Sequence, residues 1–182
     1  IGGKTMSVRM NFEHELETLR ENMDAMGKGI QQAFADLLSA IALNDLEELD
    51  RIQKNDRKIN EMERKIEAEC LLLLTRQQPA CLKEGKKDTD ACVDLLMVAK
   101  YLERIGDHAA DIADMAVRLN GISYKEYAPS MPEMLEETRK ILCDGVELFM
   151  ARDKEQAKEF YKRDDKIDDL FNQVKEELVA CL

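Results

Sequence analysis

Residues 101–114 read YLERIGDHAADIAD, and the fold turns on how they are read. Leu102, Ile105, Ala109 and Ile112 recur at steps of three and four, which marks one face of a helix. Beside that face stand Glu103, Asp107 and Asp111 at i, i+4 and i+8, with Asp114 three residues further on. Like charges at this spacing repel by about a few tenths of a kcal/mol per pair. Such a ridge needs either water to screen it or a cation among its oxygens.

The apolar register continues outward on both sides, from Leu95 and Val98 to Ala116 and Leu119. Alternating steps of three and four over that length suit packing in a helical bundle. Gly106 interrupts the helix at a cost of about 1 kcal/mol relative to Ala. A glycine there implies close approach of a neighbouring helix or a bound group. Asn120 and Gly121 close the helix.

The remaining chain has the same character. Phe12, Leu16, Leu19, Met23, Met26 and Ile30 lead a first helix that runs to Ile41. Asn44 or Asp45 caps a second, which carries Leu49, Ile52, Ile59, Ile66 and Leu73 and stops before Pro79. The polar stretch 83–90, KEGKKDTD, is expected to be a loop, and 121–132 a linker in which Ser130 caps a fourth helix with Pro132 in its first turn. That helix runs to about Met150, and a fifth from near Asp153 to the end. Residues 1–6 are set apart as a foreign or disordered start. The expected fold is all-α, with a three-helix repeat over 7–120, the linker 121–132 and a partial repeat of two helices over 133–182.

Composition agrees with this. The 182 residues contain 36% charged and only 5% aromatic side chains, with no Trp and three Pro. Strong helix formers dominate. A net charge of −11 argues against nucleic acid as a partner and leaves metal cations, basic protein surfaces or plain solubility. The five cysteines are odd in number and form no Cys-x-x-Cys pair, as expected of reduced thiols in the cytoplasm. No apolar run approaches the length of a membrane span.

Residues 43–74 and 151–182 align without a gap: Asp45 with Asp153, Asp56 with Asp164, Ile59 with Ile167, Asn60 with Asp168, Glu69 with Glu177. Each stretch follows a helix of similar apolar pattern, so the first helix pair is repeated as the second. The repeat also places further oxygen donors at i, i+4, namely Asp56/Asn60 and Asp164/Asp168. With Glu103, Asp107, Asp111 and Asp114 they form the candidate metal ligands. Oxygen-rich sets of this kind suit Mg, Mn, Fe or Zn. Acid pairs at this spacing also arise by chance on charged helices, and a solvated acidic face is the competing reading.

His14 and His108 make no Glu-x-x-His step, which disfavours di-iron chemistry of the ferritin type. Arg104 is expected to pair with a neighbouring acid. Gly27 and Gly29 lie inside a helix rather than in a phosphate-binding loop, and no Ser/His/Asp or Cys/His pattern has local support.

The segment closely resembles the signature of the PhoU family, regulators of bacterial phosphate transport. The family pattern is an acid, then Arg-Ile-Gly-Asp, an Ala, and Asn-Ile-Ala-acid. Glu103, Arg104, Ile105, Gly106, Asp107, Ala109, Ile112, Ala113 and Asp114 match it, and Asp111 stands where Asn is usual. RQQP at 76–79 is similar to the family's loop after its second helix. The resemblance spans residues 7–182 and implies two similar three-helix bundles. It implies a cytoplasmic, non-catalytic protein that dampens the phosphate-starvation response through the phosphate ABC transporter and its sensor histidine kinase. It further implies metal, multinuclear in several members of the family, on paired acid-x-x-x-acid motifs, here Glu103/Asp107 and, by position, the acids of the second and fifth helices.

The chain departs from the pattern in its second half, which shows no third helix and no second ERIGD motif. ACL occurs at both 80–82 and 180–182, as if the third and sixth helices of the family had merged. A two-helix second half leaves an apolar stripe uncovered, which implies a homodimer or a helix-exchanged oligomer. Two other readings compete: a helical adaptor whose acidic face binds no metal, and a carboxylate-bridged metalloenzyme.

Overall fold

The protein is described by a computed structural model over residues 2–54, 56–77, 85–120, 122, 124–151 and 154–181, excluding the side chains of 2–9, 56, 76–77, 85–88, 124, 154, 159 and 161. Among the described residues the chain is helical, with no strand. The helices are α1 (Gly2–Leu43), α2 (Leu46–Lys54), α3 (Asp56–Gln77), α4 (Gly85–Arg118), α5 (Tyr124–Tyr127), α6 (Met131–Ala151), α7 (Lys154–Phe160) and α8 (Asp164–Ala180), with a 3-10 turn at Tyr161–Arg163 between the last two.

The chain divides into two compact units. One contains Ile1–Ile30 and Gln53–Asp111, the other Gln31–Ile52 and Ile112–Leu182. The division therefore cuts across α1 and α4, and differs from the sequence boundary at 121–132. The physical reason is length: a 42-residue and a 34-residue helix each outrun a single small bundle.

In the first unit α1 buries Leu16, Leu19, Met23, Met26 and Ile30. Facing residues come from α3 (Ile59, Ile66, Cys70, Leu73) and α4 (Cys92, Leu95, Ala99, Leu102, Ala109). In the second unit the buried set is Phe34, Leu37, Ala40, Leu49, Ile52, Ala113, Ala128, Leu142, Leu170 and Val174. There α6 packs against α8, with α5 and α7 against α6.

Boundaries follow local chemistry. Asn44 takes a left-handed conformation (φ 54°), and the N–H groups of Asn44 and Asp45 donate to the carbonyls of Ile41 (3.3 Å) and Ala40 (2.9 Å). That is a Schellman end with Asn in the position glycine usually holds. Asp45 then caps α2, its Oδ1 accepting from the Glu48 N–H at 3.1 Å.

Several boundaries differ from expectation. Residues 2–6, set apart in the sequence as a foreign or disordered start, lie within α1. The stretch 85–90 belongs to α4 rather than to a loop, because nothing after Gly85 breaks the helix and Asp90 lies in its early turns, where an acid is favourable. The linker contains α5. Ser130 does not cap with its side chain: its N–H and Oγ–H both donate to Glu177, at 3.0 and 2.5 Å. The fifth helix is interrupted by a 3-10 turn at Tyr161–Arg163, and residue 55, between α2 and α3, lies outside the described residues. Residues 78–84, with half of RQQP and the first ACL, lie outside the described residues.

Candidate functional site

The site begins with Gly106. A Cβ placed there would lie 3.1 Å from Ile59 Cγ2, tighter than ordinary contact. The glycine therefore lets α3 approach α4, one of the two reasons the sequence allows. Gly29 on α1 meets the same side chain, its Cβ position 3.4 Å from Ile59 Cδ1. The contact brings the stretch of α3 carrying Asp56 and Asn60 alongside the stretch of α4 carrying Glu103 and Asp107.

Burial of these donors is graded. Glu103, Asp107 and Asn60 are half-buried, and Asp111 is exposed. Asp56 opens α3, with its side chain outside the described set. The other three fall in the second unit: Asp114 accepts from Arg118 at 2.7 Å, while Asp164 and Asp168 are exposed in the first turns of α8. The eight residues are thus split between two units, five in one and three in the other. Among the described residues no group of three or more His, Cys, Asp and Glu side chains converges closely enough to hold an ion. His14 and His108 are exposed. Arg104 is exposed, and none of the described side chains forms an ion pair with it.

Sequence reasoning missed Glu63 and Lys100. Among the described residues Glu63 is the one charged side chain in the buried set, and Lys100 Nζ donates to its Oε1 at 3.0 Å. The hydrogen bond to Glu63, followed by the charges of Glu63, Glu103 and Glu67, raises the Lys100 pKa above the ordinary lysine range. For Glu63, then, the cation among the oxygens is supplied by the chain itself. The signal was present in the sequence: Glu63 falls at i+4 from Ile59 and i−3 from Ile66, on an otherwise apolar stripe.

The donor set of the seam fits a hard or borderline divalent ion in kind. Glu103 and Asp107 offer carboxylate oxygens one turn apart, and Asn60 adds an amide oxygen on the adjacent stretch of α3. Histidine and thiolate take no part in it.

The repeat has a structural counterpart. The helices α3 and α8 both open on the aligned aspartates Asp56 and Asp164. Aligned Glu69 and Glu177 also act alike: Glu69 accepts from Asn22 Nδ2 at 2.8 Å, and Glu177 from Ser130.

Comparison with known proteins places these features in context. The family model described as "PhoU domain" matches residues 23–116 and 131–182. The chain is 29% identical over 174 residues to the phosphate-specific transport system accessory protein PhoU homolog of Clostridium acetobutylicum, covering 96% of this chain and 78% of that protein. It is 25% identical to the accessory protein PhoU of Escherichia coli, covering 94% of this chain and 69% of that one. A crystal structure of PhoU from Pseudomonas aeruginosa superposes with a TM-score of 0.83 at 26% identity, over 93% of this chain and 79% of the other. The PhoU structure from Streptococcus pneumoniae, at 24% identity, shares the fold with a TM-score of 0.82 over 94% of this chain and 78% of that one.

Proposed function

The chain belongs to the PhoU domain family, and from that premise we propose that it is a non-catalytic accessory regulator of phosphate uptake. It works by binding: it engages the phosphate ABC transporter and its sensor histidine kinase in the cytoplasm and dampens the phosphate-starvation response. The accessory role of the Clostridium and Escherichia relatives in phosphate-specific transport supports this reading. So does the fact that no described helix is long and apolar enough to cross a membrane.

The observation that carries the reading is the seating of the ERIGD segment on α3, where Gly106 meets Ile59. We further propose that Glu103 and Asp107 hold a divalent ion, Mg, Mn, Fe or Zn, with Asn60 and Asp56 on the adjoining stretch of α3 and water completing its shell. Such an ion supplies positive charge that ties the two helices together. The chain's own part is to present the oxygens in a half-buried seam, where charge is screened less than at the surface. The second reading, an adaptor without metal, is favoured by the Lys100–Glu63 and Arg118–Asp114 pairs, which balance acids internally.

The test is complementation. In a bacterium lacking its own PhoU and carrying a phosphate-starvation reporter, the protein should silence the reporter in phosphate-rich medium. A reporter that stays fully active while the folded protein accumulates would overturn the assignment.

A further inference from the structure

The second unit contains a groove that the regulatory reading does not use. It has a volume of about 450 Å³ and lies between α6 and the α7–3-10 segment. Leu148, Ala151 and Phe160 give it an apolar lining, and Asp144, Glu147 and Arg163 stand at its polar side.

Its wall is built by specific contacts. A Cβ at Gly145 would lie 3.1 Å from the Phe160 ring, so the missing side chain lets the ring settle on α6. The Arg163 guanidinium lies 5.4 Å from the centre of that ring and donates to Asp144 Oδ2 at 2.5 Å. Among the described residues, the one cation lining the groove is thereby committed, to the ring and to one carboxylate. Glu147 is left as an exposed carboxylate with no ion pair or hydrogen bond to another described side chain. Apolar surface beside a carboxylate that no described cation balances recognises the converse: a cation carried on an apolar body. The volume falls in the range of about 300–1,000 Å³ typical of pockets that enclose a ligand or a few side chains. A net charge of −11 draws basic partners towards the whole chain.

We propose that this groove docks a basic amphipathic segment of a partner protein. A Lys or Arg of that segment pairs with Glu147, and its apolar neighbours rest on Leu148, Ala151 and Phe160. The assignment stands whether or not the α3–α4 seam holds metal.

The test is fluorescence anisotropy on the full chain, with a labelled helical peptide of alternating Lys-Lys and Leu-Leu pairs and a second peptide carrying Glu for Lys. The basic peptide should bind saturably and the acidic one should not. Glu147→Gln should weaken binding roughly fivefold, the scale of about 1 kcal/mol for a partly exposed ion pair. Leu148→Asp should weaken it further, and Glu61→Gln, an exposed acid of the other unit, should leave it unchanged. Circular dichroism checks that each variant is folded. Glu147→Gln carries the test by itself if Leu148→Asp does not fold. Equal losses from Glu147→Gln and Glu61→Gln would show diffuse attraction and overturn the proposal. Displacement of the peptide by spermine at equal amine concentration, or no binding at low salt, would overturn it as well.

Discussion

Ile59 Cγ2 occupies the space that a side chain at position 106 would need. Alanine there brings a helix propensity gain of about 1 kcal/mol, against an overpacking cost of about 1–3 kcal/mol. Gly106→Ala should therefore lower stability by about 1 kcal/mol in urea unfolding. Combining it with Ile59→Ala, which removes the crowding methyl, should recover part of that loss as a favourable coupling in a double-mutant cycle. Simple additivity of the two losses would contradict the contact. Cys70 gives a second residue-scale prediction. Burial, with smaller contributions from Cys92 and Glu69, pushes its thiol pKa up to about 12. The reactive thiolate is thus scarce at neutral pH. Iodoacetamide should modify exposed Cys181 in the native protein and reach Cys70 only on unfolding, as peptide mapping would show. Glu177 supplies a third. Hydrogen bonds from Ser130, first its hydroxyl and then its N–H, hold the carboxyl below the ordinary glutamate range. A depressed folded-state pKa stabilises the protein above the unfolded pKa, and the stabilisation is lost as pH falls through the folded one. The melting temperature of Glu177→Gln should thus converge on that of the unsubstituted chain in acid and fall below it at neutral pH.

At the scale of the element, much of the fold was legible because periodicity is a summed signal. The runs of three-and-four spacing from Phe12 to Ile41 and from Leu95 to Leu119 specify α1 and α4 whatever any one side chain does. The 3-10 turn at 161–163 was not legible, since the apolar stripe runs on through it and only Asp164-Asp165 hint at a restart. Ser130 was misread because an N-cap is inferred locally, whereas its partner Glu177 lies 47 residues away. Glu63 was passed over because the search was for acids beside the stripe, and this one lies within it. Lys100→Met should leave that buried carboxylate without its partner and lower the melting temperature. Glu63→Gln in the same chain should recover part of the loss, because the amide carries no charge to strand. Equal melting temperatures for Lys100→Met and the unsubstituted chain would show that the pair contributes nothing.

At the scale of the whole molecule, membership of the PhoU domain family was legible from one signature and one repeat. The grouping of the site was not. Eight residues chosen by spacing fall in two different units, because spacing reports which face of a helix a residue shares and not which helix it meets. Phe171 and Val179 on α8 are 57% and 60% exposed, and we propose that this apolar surface is where the homodimer expected from the sequence forms. Phe171→Glu should then shift the light-scattering mass towards the monomer, and an unchanged mass would remove α8 from the interface. The proposal that a cation lies among the oxygens of Glu103 and Asp107 rests on half-burial, the acid-x-x-x-acid step and the approach of α3. Its most direct test is elemental analysis of protein purified without chelator, beside the Glu103→Ala/Asp107→Ala double variant. The account predicts a bound divalent metal in the unsubstituted chain and its loss from the folded variant. The same metal content in both, or none in either, would contradict it.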